Sequence, residues 1–225
     1  MKTRISLLLA VVMIPGSFSF VFADDAVKSG DFLEDKGVLL GDTKGDLNLD
    51  KPLERRDSVV LLSRLLGVEK EAKDFTEEGL PTWKDNNDKY YNGFLAWAQS
   101  KEYFQGHSEE KFGPRDNITV KEYAVVLLRA LGYVEEAADW DKVFDTAKKL
   151  GLLEGVDKKA DEEVLRGEMA DMTFIALGTK MKGSDKTLAE ELGIDMPAAK
   201  ELKAVVNDTE NLKEVVVELS NAKLA

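Results

Sequence analysis

The chain has 225 residues, 44% of them hydrophobic, with only 17 glycines and 5 prolines, which is enough apolar material for a sizeable core and excludes wholesale disorder. It has no cysteine, so disulfides, thiolate metal sites and a thiol nucleophile are all excluded. Forty-three acidic against 31 basic residues give a formal net charge of −12, the wrong sign for a nucleic-acid partner.

The first element is a secretory signal peptide over residues 1–23. Lys2 and Arg4 precede the apolar run Ile5 to Ile14, and Val21-Phe22-Ala23 places small residues at a cleavage site after Ala23. Ten residues before Pro15 and Gly16 are too few to cross a bilayer of ~30 Å, which takes ~20, so the mature form is expected to have no membrane partner. Cleavage leaves 29 basic and 43 acidic residues, a net charge of −14.

Beyond the signal, one frame occurs three times: LERRDSVVLLSRLLG (Leu53 to Gly67), ITVKEYAVVLLRALG (Ile118 to Gly132) and VLRGEMADMTFIALG (Val164 to Gly178). Each opens on an apolar residue, carries an acid four positions on (Asp57, Glu122, Glu168) and closes on glycine at the fourteenth. Upstream, Gly41 and Gly106 lie twelve residues before their openers and Gly155 nine before Val164, so the third loop is shorter. The repeating unit reads as helix, glycine-punctuated loop, helix. This divides the chain into units 24–74, 75–134 and 135–178, followed by an extension, 179–225.

In the second unit the first helix is predicted from Tyr91 to Glu102, with Phe94, Leu95, Trp97 and Ala98 inward, ending in a tight turn at Gly106. Thr119 and Glu122 form a capping box at the second helix, and Asp57 and Glu168 stand at the same helix-start position in the other units. The charged, turn-rich segment Val68 to Lys89 is predicted to be an exposed loop. In the extension, TLAEELG predicts a short helix, and ELKAVVND with LKEVVVELS predicts a β-hairpin around Asp208-Thr209-Glu210.

The second unit's Trp83, Gly106, Phe112, Pro114, Ile118, Thr119 and Glu122 resemble the S-layer homology (SLH) family. Its units carry an aromatic near the start, a helix ending in glycine, a loop G-x-x-x-x-x-F-x-P, and I-T-R-A-E opening a second helix. The resemblance spans Asp24 to Gly178, and TLAEELG resembles a stretch often found after the third unit in such proteins. It implies an all-α, three-lobed module of pseudo-threefold arrangement, exported by a bacterium to its cell wall or S-layer and carrying no cofactor. The implied partner is secondary cell-wall polysaccharide, commonly pyruvylated, held in grooves between units by the arginine of I-T-R-A-E. Arg55 and Arg166 match that arginine, and Val120 replaces it in the second unit, which implies at most two working grooves unless Lys121 or Arg115 substitutes.

A guanidinium suits this work because it grips a carboxylate through two parallel hydrogen bonds. Trp83 and Trp140, each placed before a first helix, are candidate sugar-stacking surfaces, Trp97 is a core residue, and Gly41, Gly106 and Gly155 shape the groove loops. Two other readings stand beside this one: an assembly component binding other S-layer or envelope proteins, and the anchor of a larger surface enzyme. Asp46, Asn48, Asp50 and Asp57 mimic a calcium loop, but Lys51 and Pro52 stand where such a loop turns, so no metal site is expected. His107, the only histidine, is expected to lie solvated, and no catalytic motif accompanies it.

Overall fold

The computed structural model describes residues 29–76 and 83–197 in full, and the backbone of 201–205 and 216–220. The predicted signal peptide, residues 24–28 and the hairpin turn at 208–210 lie outside the described residues. The described chain is mostly helical: α1 (Ser29–Asp35), α2 (Arg55–Leu65), α3 (Glu69–Lys73), a 3-10 turn at Lys89–Tyr91, α4 (Asn92–Ser100), α5 (Val120–Ala130), α6 (Val134–Ala138), α7 (Val143–Lys149), α8 (Arg166–Gly178) and α9 (Leu188–Leu192). Strands β1 (Glu201–Val205) and β2 (Val216–Ser220) pair antiparallel, Glu201 opposite Ser220 and Val205 opposite Val216, on the segments where the hairpin is predicted.

The three frame openers meet. Leu53 N–H donates to Val164 O (3.2 Å), Val164 N–H to Ile118 O (3.0 Å) and Ile118 N–H to Leu53 O (2.9 Å), closing a ring of three hydrogen bonds around side chains that are 0% exposed. The register continues outward. Two positions past each opener, Arg55, Val120 and Arg166 N–H donate to Asp116, Glu162 and Lys51 carbonyls. One residue further, Arg56, Lys121 and Gly167 N–H donate to Pro114, Ala160 and Leu49 carbonyls. These are first-turn amides that no helix can satisfy internally, so each of α2, α5 and α8 is capped by the loop that precedes another frame.

Helix pairing also crosses the frames: α4 packs on α2, α7 on α5, and α1 on α8. The last pair joins the start of the described chain to its third frame, with Ser29 Oγ hydrogen-bonded to Asp171 and Phe32 edge-on to Phe174 at 5.1 Å. The short helices α3, α6 and α9 each come after a frame and pack beside it.

Several predicted details change. The first helix of the second unit is Asn92–Ser100 rather than Tyr91 to Glu102, and it does not end at Gly106. The turn that follows it closes at Glu102, which takes a left-handed φ of 57° where Gly37 (69°) and Gly151 (76°) stand at the matching places, four residues before Gly41 and Gly155. Segment 68–89 is not wholly an exposed loop: Glu69–Lys73 is helical with Ala72 buried, and Trp83 is 7% exposed. The capping box of Thr119 and Glu122 is present. At the other frames it is partial or missing. Glu168 accepts from Leu165 N–H (2.8 Å), but leucine has no acceptor to return, and the N-cap Glu54 makes no side-chain cap.

This geometry sets two expected outcomes. Thr119→Ala should lower unfolding stability by ~1 kcal/mol. Glu102→Gly should raise it by up to ~1 kcal/mol, because a side chain at left-handed φ is strained. Urea titration measures both, and a destabilised Glu102→Gly would show that the turn is unstrained.

Candidate functional site

The cyclic register makes three equivalent interfaces, each between the start of one frame helix and the loop that leads to the next opener. In the first, Arg55 from α2 is 4% exposed and spends its guanidinium on protein. Nε donates to Phe112 O (3.1 Å), Nη2 to Gln105 O (3.0 Å) and Nη1 to the Glu122 carboxylate (2.5 Å), with the group 4.9 Å above the Phe112 ring. Burial pulls its pKa below the ordinary arginine value, against the opposing pull of Glu122. Each partner serves another part of the loop: Glu122 is also the capping acid, and Asp85 grips the loop by accepting from Phe112 N–H (3.0 Å) and Gly113 N–H (2.8 Å).

Beside this arginine lies a cleft of about 370 Å³ lined by Trp83, Gln99, Glu102, Phe104, Gln105 and Gly106. Trp83 packs on Phe112 with ring centroids 4.5 Å apart, and a Cβ at Gly106 would collide with Trp83 Nε1 and fall 2.6 Å from Lys111 O. Gly106 is therefore required for close approach and not for a left-handed turn. Gly41 is required in the same way, a Cβ there falling 2.7 Å from the Gly45 carbonyl carbon, whereas Gly155 is a left-handed turn residue with φ 80°. His107 sits half-exposed above the loop, 3.3 Å from Asp116, as its predicted solvated place requires.

In the second interface Arg166 repeats the same grip. Nε donates to Leu47 O (2.8 Å) and Nη2 to Leu40 O (3.2 Å). Phe112 and Leu47 both lie six residues after a loop glycine, and Gln105 and Leu40 immediately before one, so the two arginines hold matching carbonyls. They differ in charge balance. Among the described residues no carboxylate lies within the 4.0 Å of an ion pair with Arg166, and Asp57 acts on it only at longer range. Asp57 itself accepts from Tyr91 O–H (2.7 Å), and burial raises the tyrosine pKa further beyond its usual value. Burial lowers the Arg166 pKa as well, leaving a half-buried cation held by neutral dipoles.

The third interface has Val120, 0% exposed, at the arginine position. Nearby, Lys158 Nζ donates to Glu163 O (2.6 Å) and lies 2.9 Å from the Glu168 carboxylate, while Lys121 Nζ stands 4.2 Å over the ring of Trp140, which is 53% exposed. Trp83 and Trp140 are therefore not counterparts, as their places before the first helices implied. The counterpart of Trp140 is Tyr91, each fifteen residues before its loop glycine and each under a cation three residues after an opener: Lys121 for Trp140, and Arg56 (4.7 Å) for Tyr91. The aromatic-and-cation spacing is readable in the sequence once the two offsets are known. Arg115, the other suggested substitute, is exposed in the loop of the first interface.

Asp46 and Asp57, of the apparent calcium loop, are already engaged: Asp46 accepts from Asn48 N–H (2.8 Å), and Asp57 holds Tyr91.

No family model matches the chain. It is similar to the middle cell wall protein of Brevibacillus brevis (24% identity over 76% of this chain and 19% of that protein) and the surface layer protein of Brevibacillus choshinensis (24%, 69% and 15%). It is also similar to the surface-layer 125 kDa protein of Lysinibacillus sphaericus (28%, 62% and 12%). The chain thus spans less than a fifth of the length of these relatives.

Arg55→Ala should cost ~3–5 kcal/mol of stability, since it strands Glu122 and the buried Phe112 carbonyl, and Arg55→Lys should recover little because one ammonium cannot span the three acceptors. Thermal unfolding of the two variants checks this. Burial opposes ionisation of Asp85, but its two loop amides outweigh burial and hold its pKa below 3.8. Its contribution is therefore complete above the unfolded value and lost as pH falls through the lower folded value. Asp85→Asn should flatten the loss of stability below about pH 4 that the parent chain shows in acid titration.

Proposed function

We propose that this chain is the wall-binding part of a secreted bacterial surface protein: three divergent SLH units about a pseudo-threefold axis, holding acidic secondary cell-wall polysaccharide, of the pyruvylated kind, in the grooves between them. Residues 1–23 are the export signal, and the module itself is not an enzyme. Similarity to surface-layer and cell wall proteins supports the cell-surface location.

The observation that carries the reading is the state of Arg166. It occupies the position of the family's ligand arginine, is half-buried, is aimed by two carbonyls and, among the described residues, has no carboxylate within ion-pairing distance. A desolvated cation without an anion is costly, so the site favours an incoming carboxylate strongly and water poorly. Arg55, closed in by Glu122, shapes its groove from beneath, with Trp83 and Gly106 forming the floor beside it. Trp140 offers an exposed indole face to a pyranose ring. Weak contacts on one rigid module add through effective concentration. The acidic net charge is screened beyond ~8 Å at physiological salt, so local cations decide the encounter.

The test is sedimentation of the purified chain with wall sacculi, native or stripped of secondary polymer. Binding should require the polymer and should fall for Arg166→Ala and for Trp140→Ala, with both variants shown to be folded. Binding to stripped walls, or binding by both variants equal to that of the parent chain, would refute the reading. Self-association without walls, read by light scattering, would favour the assembly of envelope proteins instead, a role consistent with the names of the surface-layer relatives.

A further inference from the structure

The three interfaces share a register that exposes an exchange. Counting from each opener, the residue two positions after faces the loop whose residue six positions before the next opener completes the contact. The facing pairs are Arg55 with Phe112, Arg166 with Leu47, and Val120 with Lys158. In the first two a cation stands on the helix and a buried apolar residue on the loop, Phe112 at 0% and Leu47 at 8% exposed. In the third the apolar residue is on the helix, Val120 at 0% exposed, and the cation is on the loop. The backbone register does not change: Val120 N–H donates to Glu162 O (2.9 Å) as Arg55 N–H does to Asp116 O and Arg166 N–H to Lys51 O.

We propose that Lys158 is the transposed counterpart of the arginine missing at Val120, and that the third groove, within the polysaccharide-binding reading above, retains a working cation, because the Lys158 side chain, though paired with Glu168, is 20% exposed against 4% for Arg55 and stays within reach of an incoming anion. Its partner supports this. Arg55 pairs with Glu122, the acid four positions after the facing opener, and Lys158 pairs at 2.9 Å with Glu168, the acid at that same place in its own frame. The second contact of Lys158, to Glu163 O at 2.6 Å, replaces the backbone carbonyl that the arginines take from the loop. The third loop is three residues shorter between its glycine and its opener, which sets Lys158 only three residues past Gly155.

The exchange changes what the groove can read. A guanidinium meets a carboxylate with two parallel N–H groups, whereas an ammonium meets it as a point charge, without fixing its plane. The third groove should therefore accept acidic substituents of more varied geometry, with greater sensitivity to salt, beside the exposed Trp140 ring and Lys121.

Two measurements on the full chain test the proposal. In a double-mutant cycle, Val120→Arg and Lys158→Leu should each destabilise, and the pair together should recover, with coupling of about tenfold or more in the unfolding constant. Additive effects would overturn the exchange. In sedimentation with native wall sacculi, Lys158→Leu should lower binding, most in an Arg166→Ala background, while Lys158→Arg and the double variant Val120→Arg/Lys158→Leu should restore it. Coupled unfolding with wall binding untouched by Lys158→Leu would overturn the groove's role and leave Lys158 as an interface residue only. Failure of all variants, Arg166→Ala included, to alter wall binding would refute polysaccharide binding itself and leave the stability exchange standing.

Discussion

The described helices depend on the ring closed by Leu53, Ile118 and Val164. Each opener is fully buried, so its amide and carbonyl have no water to turn to, and each finds its partner only in another frame. A single helix-loop-helix unit would leave one donor and one acceptor stranded at its centre, at a cost of ~1–3 kcal/mol for each unsatisfied group. It would also leave the first-turn amides of its second helix uncapped. The interdependence explains why the openers are apolar and why the loops before them keep one register while differing in length.

The ring also sets the order in which the chain can become stable. Helix α1 has seven residues, too few to persist alone, and its described packing partner is α8. Its hydrogen bond from Ser29 reaches a residue 142 positions away. Helix α1 therefore gains its helix packing on α8 only when the third frame is present, a non-local closure of the kind that slows folding.

Much of this was legible in the sequence because it is local. The frame spacing located α2, α5 and α8, Thr119 and Glu122 declared a capping box, and TLAEELG declared α9. What was hidden is the set of contacts that cross between frames. Asp57 looked like a helix-start acid but is held by Tyr91, and Arg55 matched the ligand arginine but is closed in by Glu122. Tryptophan identity suggested that Trp83 matched Trp140, whereas distance from the loop glycine pairs Trp140 with Tyr91. Glu102 gave no signal of a left-handed turn, because that conformation belongs to the turn that leads α4 into its loop and the side chain merely tolerates it.

The same cross-frame view separates the two arginines, which the sequence treats as equals. Both grip loop carbonyls in matching fashion, but carbonyls cancel only part of a buried charge. Arg55 receives the remainder from Glu122 inside the protein, and the pair is nearly sealed, with Arg55 at 4% and Glu122 at 20% side-chain exposure. Arg166 receives it from no described carboxylate at pairing distance, because the acid in the equivalent place is Asp57, one methylene shorter than Glu122 and turned to Tyr91. Among the described residues, that single methylene and a tyrosine hydroxyl leave Arg166 without the paired carboxylate that Arg55 has. The two guanidiniums therefore share one backbone grip and differ in charge balance, which is set by the length of a single acidic side chain and by what that acid turns to.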